Sequence, residues 1–127
     1  MPYTYDETNI FARILRGEIP CAKVHETAHS LAFRDINPQA PVHVLVIPKG
    51  PYVTFDHFAE AASAEEIADY TRAIGEVCRI EGVQPGAGGA GFRMIANSGD
   101  NGHQEVPHLH VHILGGRRLG RMLDPAG

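Results

Sequence analysis

His108-Leu109-His110-Val111-His112-Ile113 places an imidazole at every second position. On a β-strand successive side chains point to opposite faces. His108, His110 and His112 then share one face, and Leu109, Val111 and Ile113 share the other, the core face. With a rise of ~3.3 Å per residue, the three rings lie along roughly 14 Å of one line. Imidazole titrates near pH ~6.5, so it can act as nucleophile, general acid or anion binder. Three readings compete. A solvated polar edge would normally use Thr, Lys and Glu. A zinc site with strand-borne ligands lacks a clear cysteine or carboxylate partner, and three histidines of one strand converge poorly on one ion. A phosphate-handling catalytic face needs what the segment offers: a neutral ring to attack phosphorus and a charged ring to neutralise the phosphoryl oxygens. The pattern weighs toward the third.

The triad needs elements to position it. Thr8 or Asn9 can cap a short helix bearing Ile10, Phe11, Ile14 and Leu15, with Gly17 as its stop. Residues 21–26 and 30–35 read as two strands joined by a polar turn, and the β-branched run 42–47 as a third. Residues 52–62 are ambiguous. Ser63-Ala64-Glu65-Glu66 has the form of a capping box, and a long helix carrying Ile67, Tyr70, Ile74, Val77 and Cys78 runs from there to Gly82. The glycine-rich 84–91 lacks a following G-K-[ST], which favours a mobile connection over a phosphate cradle. Residues 92–96 and 106–114 read as the last two strands. Hairpin-like clusters of strands with few helices predict an α+β fold with a mainly antiparallel sheet.

Composition narrows the function classes. The chain has 127 residues, 43% hydrophobic and 20% charged, which predicts one ordinary globular domain spanning 1–127. No run approaches the ~18 apolar residues of a membrane helix, and the first residues do not read as a signal peptide. The formal charge of −4 disfavours a general nucleic-acid binder, which needs clustered Lys and Arg. Cys21 and Cys78 are far apart and read as reduced thiols of a cytoplasmic protein, Cys78 in the core.

The residues 108–114 fit the pattern His-apolar-His-apolar-His-apolar-apolar, and the chain resembles the Hint branch of the histidine-triad (HIT) family. Ile10-Phe11, residues 17–20 (Gly-Glu-Ile-Pro), residues 32–43, Val46-Ile47-Pro48-Lys49 and Leu114-Gly115-Gly116-Arg117 resemble that branch in the same order. The resemblance implies a five-stranded antiparallel sheet with one long and one short helix per subunit, and a homodimer whose sheets join. It implies hydrolysis of purine nucleoside 5′-phosphoramidates. His110 would be the nucleophile, forming a nucleotidyl-histidine intermediate. His112 would bind the phosphate, and His108 and His43 would orient the nucleophile from behind. Asp35 would hold the ribose hydroxyls, and Ile10, Phe11, Ile14 and Ile36 would form the slot for the base. Asn97 would contact the phosphate, with Gln104 beside the site. Read on their own, Asp35 and Asn97 could equally shape turns, His43 could be a satisfied core histidine, and the helical residues could be plain core.

Two departures matter. Some bacterial relatives bind zinc through a C-x-x-C pair and two histidines, but Asn9 and Ala12 occupy the thiolate positions, so no metal and no other cofactor is expected. Glu105 stands where animal relatives carry a serine credited with assisting the leaving amine, and His103 stands where a small residue is usual. The tail 120–127 resembles bacterial relatives. Two rivals remain: a dinucleoside polyphosphate hydrolase, and a non-catalytic purine nucleotide-binding or scaffold protein.

Overall fold

The computed structural model describes residues 3–123; residues 124–127 of the tail lie outside it. Five strands form one antiparallel sheet: β1 (Lys23–Glu26), β2 (Ser30–Arg34), β3 (Val42–Pro48), β4 (Phe92–Ala96) and β5 (Val111–Gly115), in the order β1-β2-β3-β5-β4. The helices are α1 (Ile10–Leu15), α2 (Phe55–Ala61) and α3 (Ala64–Ile80).

The sheet is covered on both faces in its middle, which explains the unbroken apolar run of β3. Val44 and Val46 point to one side, with Leu109, Val111, Ile113 and the α3 residues Tyr70, Ala73 and Val77. Leu45 and Ile47 point to the other, with Leu31, Phe33 and Phe11 of α1. Val46 and Val77 are fully buried, each worth ~1.5–3 kcal/mol of transfer free energy. Tyr70 sits in the first core because its hydroxyl donates to the Val46 carbonyl at 2.7 Å, so burial leaves no polar atom unpaired.

Local chemistry fixes the helix ends. Asn9 caps α1, its side-chain oxygen accepting from the Ala12 amide at 2.9 Å. Ser63 and Glu66 form the expected capping box of α3. Gly82 ends that helix at φ +71°, a conformation open to glycine.

Two expectations change. The ambiguous stretch contains a third helix, α2, capped by Thr54, whose hydroxyl accepts from the His57 amide, so the fold has two short helices beside the long one. Only the latter part of 106–114 is in the sheet. The His108 amide bonds back to the Val106 carbonyl and the Leu109 amide to the Tyr52 carbonyl, which takes both out of the ladder. The glycine-rich loop is wound on itself: a 3-10 turn at Pro85–Ala87, the Gly89 amide on Gln84, and the Gly91 amide on Val83. Those amides are spent within the loop, and a phosphate cradle is not built there.

Candidate active site

Although β5 begins at Val111, the alternation of faces runs through the whole triad. Leu109, Val111 and Ile113 enter the α3-side core. The histidines take the α1 side, where the Phe11 ring lies edge-on to His110 with centroids 5.0 Å apart. His112 is directly opposite Leu45 of β3 and Ile95 of β4. His43 reaches the same face from β3.

Hydrogen-bond partners assign the protons on all four rings. The Gln39 amide donates to His43 Nδ1 at 3.0 Å, so that nitrogen carries a lone pair and Nε2 carries the hydrogen. His43 Nε2 then donates to His112 Nδ1 at 2.9 Å. His112 is left with its hydrogen on Nε2, a donor even when neutral. His108 Nε2 donates to the Pro48 carbonyl at 2.8 Å, and its Nδ1 accepts from the Tyr5 hydroxyl at 2.5 Å. His110 Nδ1 donates to the His108 carbonyl at 2.7 Å, which leaves a lone pair on His110 Nε2.

Burial keeps these rings neutral. Desolvation penalises the imidazolium and pushes His108 down to about 4. It does the same to His112, helped by the neighbouring His110 and His43, also to about 4. His110 and His43 are lowered for the same first reason, His110 partly offset by its bond to the His108 carbonyl and then by Asp35 and Glu105, His43 by Asp35.

A groove of about 410 Å³ opens in front of His110 and His112. Ile10, Phe11, Ile14 and Ile36 line it together with Asp35 and Glu105. Ile36 is 91% exposed, an apolar side chain left in water at the mouth. Asp35 does two things at once. One carboxylate oxygen closes a turn by accepting from the Asn37 amide at 2.8 Å, and the other lies 3.4 Å from His43 Nε2. A carboxylate has about four lone-pair sites, so capacity for further donors remains.

The remaining candidates sit elsewhere around the rings. His43 bonds His112 rather than standing behind His110. His108 holds His110 through its backbone carbonyl, not through its ring. The expected pair of supports therefore divides, His108 to His110 and His43 to His112. Asn97 lines a second groove of about 780 Å³, which shares His112 and His43 with its surroundings. Gln104 lines neither groove. Its amide donates to the Val53 and Val106 carbonyls and accepts from the Gly99 amide, clamping the loop before the triad. Sequence reasoning missed Tyr5, and it missed Ile19, Pro20 and Cys21 as lining of the first groove. A lone tyrosine ahead of a helix carries no signal of a contact 103 positions away.

Among the described residues one cluster has the composition of a metal site: ligand-capable atoms of Asp35, His43 and His112 lie within 4.8 Å of one another. The donor set does not fit an ion. The Gln39 amide requires the lone pair on His43 Nδ1, so the nitrogen facing the cluster carries hydrogen and has no pair to give. Position 9, where zinc-bearing relatives carry a thiolate, is spent as the α1 cap.

A sheet with three inward imidazoles, each given a different hydrogen-bond partner and set beside an apolar groove, defines a histidine-triad site. The HIT domain model matches residues 16–119, and the chain belongs to the HIT domain family. A HIT-like protein of Azospirillum brasilense is 59% identical over 125 residues, covering 97% of this chain and 98% of that one. The purine nucleoside phosphoramidase of Escherichia coli K12 is 39% identical over 124 residues, covering 95% and 98%. The structure of a HIT family hydrolase from Clostridium thermocellum superposes with a TM-score of 0.82 at 35% identity, covering 93% and 99%. Among the described residues no helix is long and apolar enough to cross a membrane.

Proposed function

We propose that this protein hydrolyses purine nucleoside 5′-phosphoramidates by double displacement at His110. The observation that carries the reading is the bond from His110 Nδ1 to the His108 carbonyl. It turns the unprotonated Nε2 outward beside a groove with an apolar slot and a carboxylate. That nitrogen attacks the α-phosphorus, the phosphorus–nitrogen bond breaks, and the amine departs. Water then cleaves the nucleotidyl-histidine to release the nucleoside monophosphate. His112, with Nε2–H fixed outward by His43, donates to the phosphoryl oxygen where charge develops. Asp35 accepts from the ribose hydroxyls, and Ile10, Phe11, Ile14 and Ile36 flank the base. Asn97 approaches the phosphate from the second groove. The 39% identity to a purine nucleoside phosphoramidase supports this reaction class.

The same reading takes residues 1–127 as one domain, working in the cytoplasm as a homodimer without a resident cofactor. Edge strand β4 supports the dimer: Phe92 and Met94 are exposed on it, beside an apolar groove of about 450 Å³ lined by Phe55, Ile67 and Ile74. Light scattering on the wild type and on Met94→Glu tests the assembly.

The experiment is hydrolysis of adenosine 5′-phosphoramidate, with EDTA present, by the wild type and by His110→Ala. Turnover by the wild type that the substitution removes, with nucleotide binding retained, supports the mechanism. Comparable turnover by a folded His110→Ala protein refutes it.

A further inference from the structure

The loop between β4 and the triad carries a residue that no step above uses. His103 has φ +59°, the left-handed region, where it is the only non-glycine among the described residues. Side chains adopt this conformation at a cost, and such residues gather where geometry matters more than stability. The loop leaves no slack. A Cβ on Gly102 would lie 2.6 Å from the Ser98 carbonyl oxygen, the His103 amide donates to the Asp100 carbonyl, and Gln104 is clamped by three backbone bonds.

This wound loop carries His103 and Glu105, one on each of the two grooves beside the triad. Glu105 lines the first groove with His110, and His103 lines the second with His112 and Asn97. The two meet, His103 Nε2 lying 3.1 Å from a Glu105 carboxylate oxygen. Their side chains are 86% and 75% exposed, so the contact adds little to folding. It engages Nε2 and leaves Nδ1 as the nitrogen turned away from Glu105. On the phosphoramidase reading, a nucleotide in the first groove with its phosphate at His110 and His112 has its leaving group toward the second groove, which His112 also lines.

We propose that His103, supported by Glu105, is the acid that protonates the leaving amine and the base that then activates water. The inference rests on the phosphoramidase reading above. In the first step the His110 Nε2 lone pair bonds to phosphorus, and the pair of the breaking phosphorus–nitrogen bond goes to the amine. That nitrogen takes the proton from His103 Nδ1, leaving a neutral ring. In the second step water oxygen bonds to phosphorus, the bond to His110 breaks with its pair returning to Nε2, and the proton of water passes to His103 Nδ1. The Glu105 carboxylate lies beside the imidazolium that precedes the first step and is restored by the second. Other titratable groups nearby are Asp100, whose backbone carbonyl accepts from the His103 amide, and His43, His112 and Arg93, which line the same groove.

Leaving-group chemistry tests the proposal. An alkylamine leaves phosphorus only with a proton, whereas 4-nitrophenolate leaves without one. His103→Gly keeps the loop, since glycine accepts φ +59° freely. First-step rates are measured by rapid quench for the alkylamine phosphoramidate of adenosine 5′-monophosphate and for adenosine 5′-(4-nitrophenyl phosphate). General acid assistance spans ~10²–10⁴-fold, and solvent exposure of the pair lowers the expected value. The amide-to-ester rate ratio should fall about 10–100-fold in His103→Gly. It should fall less in Glu105→Gln. An unchanged ratio in His103→Gly overturns the proposal, and so does an equal loss on both substrates, which assigns His103 to binding. A wild type that cleaves the ester but not the amide overturns the phosphoramidase reading as well. A wild type that cleaves both while His103→Gly keeps its ratio overturns the proton relay alone.

Discussion

The chain Gln39–His43–His112 makes a quantitative prediction about which residues act as a unit. His43 is 3% exposed, and its only assigned ring partners are the Gln39 amide and His112. Removing the ring in His43→Ala leaves His112 free to carry its hydrogen on either nitrogen. When it sits on Nδ1, a lone pair faces the phosphoryl oxygen. A hydrogen bond to a group that gains charge is worth ~1.5–3 kcal/mol, so kcat should fall about 10–150-fold. Removing the donor itself in His112→Ala costs more, ~10²–10³-fold, as for other donors to a developing oxyanion. Independent effects would multiply in the double variant to at least ~10³-fold. Because His43 acts through His112, the double variant should be no slower than His112→Ala alone. The assay is steady-state hydrolysis of adenosine 5′-phosphoramidate by the four proteins, with folding checked by circular dichroism. A double variant slower than His112→Ala by the full His43→Ala factor refutes the relay.

Acid should weaken the fold in a window set by the buried histidines. His108 is held at about 4 in the folded chain against ~6.5 unfolded. Its contribution is therefore complete above pH ~6.5 and lost as pH falls toward 4, by ~1.4 kcal/mol per pH unit and ~3 kcal/mol in all. Urea titrations at pH 7 and pH 5 check the slope, and equal midpoints refute it. Tyr5→Phe deprives His108 Nδ1 of its donor and should cost ~1–3 kcal/mol in the same measurement. Gly116→Ala combines φ +86° with a Cβ only 2.8 Å from the Pro41 Cβ, so a thermal melt should show a lower Tm than the wild type.

Periodicity made the triad, its core-facing partners and the sheet legible, because a period of two survives even where residues leave the ladder. His108 and Leu109 bond outside the sheet, yet they keep the faces that the alternation assigns. Capping chemistry made the start of α3 legible to the residue, since Ser63 and Glu66 satisfy each other's neighbouring amides locally. Helix α2 was opaque for the opposite reason. Seven residues give too short a window for a period of 3.6, and what stabilises them is tertiary: Phe58 packs on Tyr70 and Tyr52. Which ring supports which was opaque too. His43 and His112 are 69 positions apart, and only the register of β3 against β5 brings them together.

That register explains how one residue type can hold three roles on one short segment. A strand presents identical rings at equal spacing, so the strand itself cannot distinguish them. The distinction comes from what each ring meets. His108 meets a carbonyl and a phenol and is spent on both nitrogens. His110 meets only a carbonyl on Nδ1 and keeps its lone pair outward. His112 meets a donor on Nδ1 and keeps its hydrogen outward. In the proposed mechanism a spectator, a nucleophile and an oxyanion donor thus arise from three neighbours: the segment before α1, the chain itself, and β3. Swapping the acceptor and donor that His110 and His112 face would exchange their chemistry without altering the triad's sequence. The motif is therefore only half of the site, and the residues at 39 and 43 complete it.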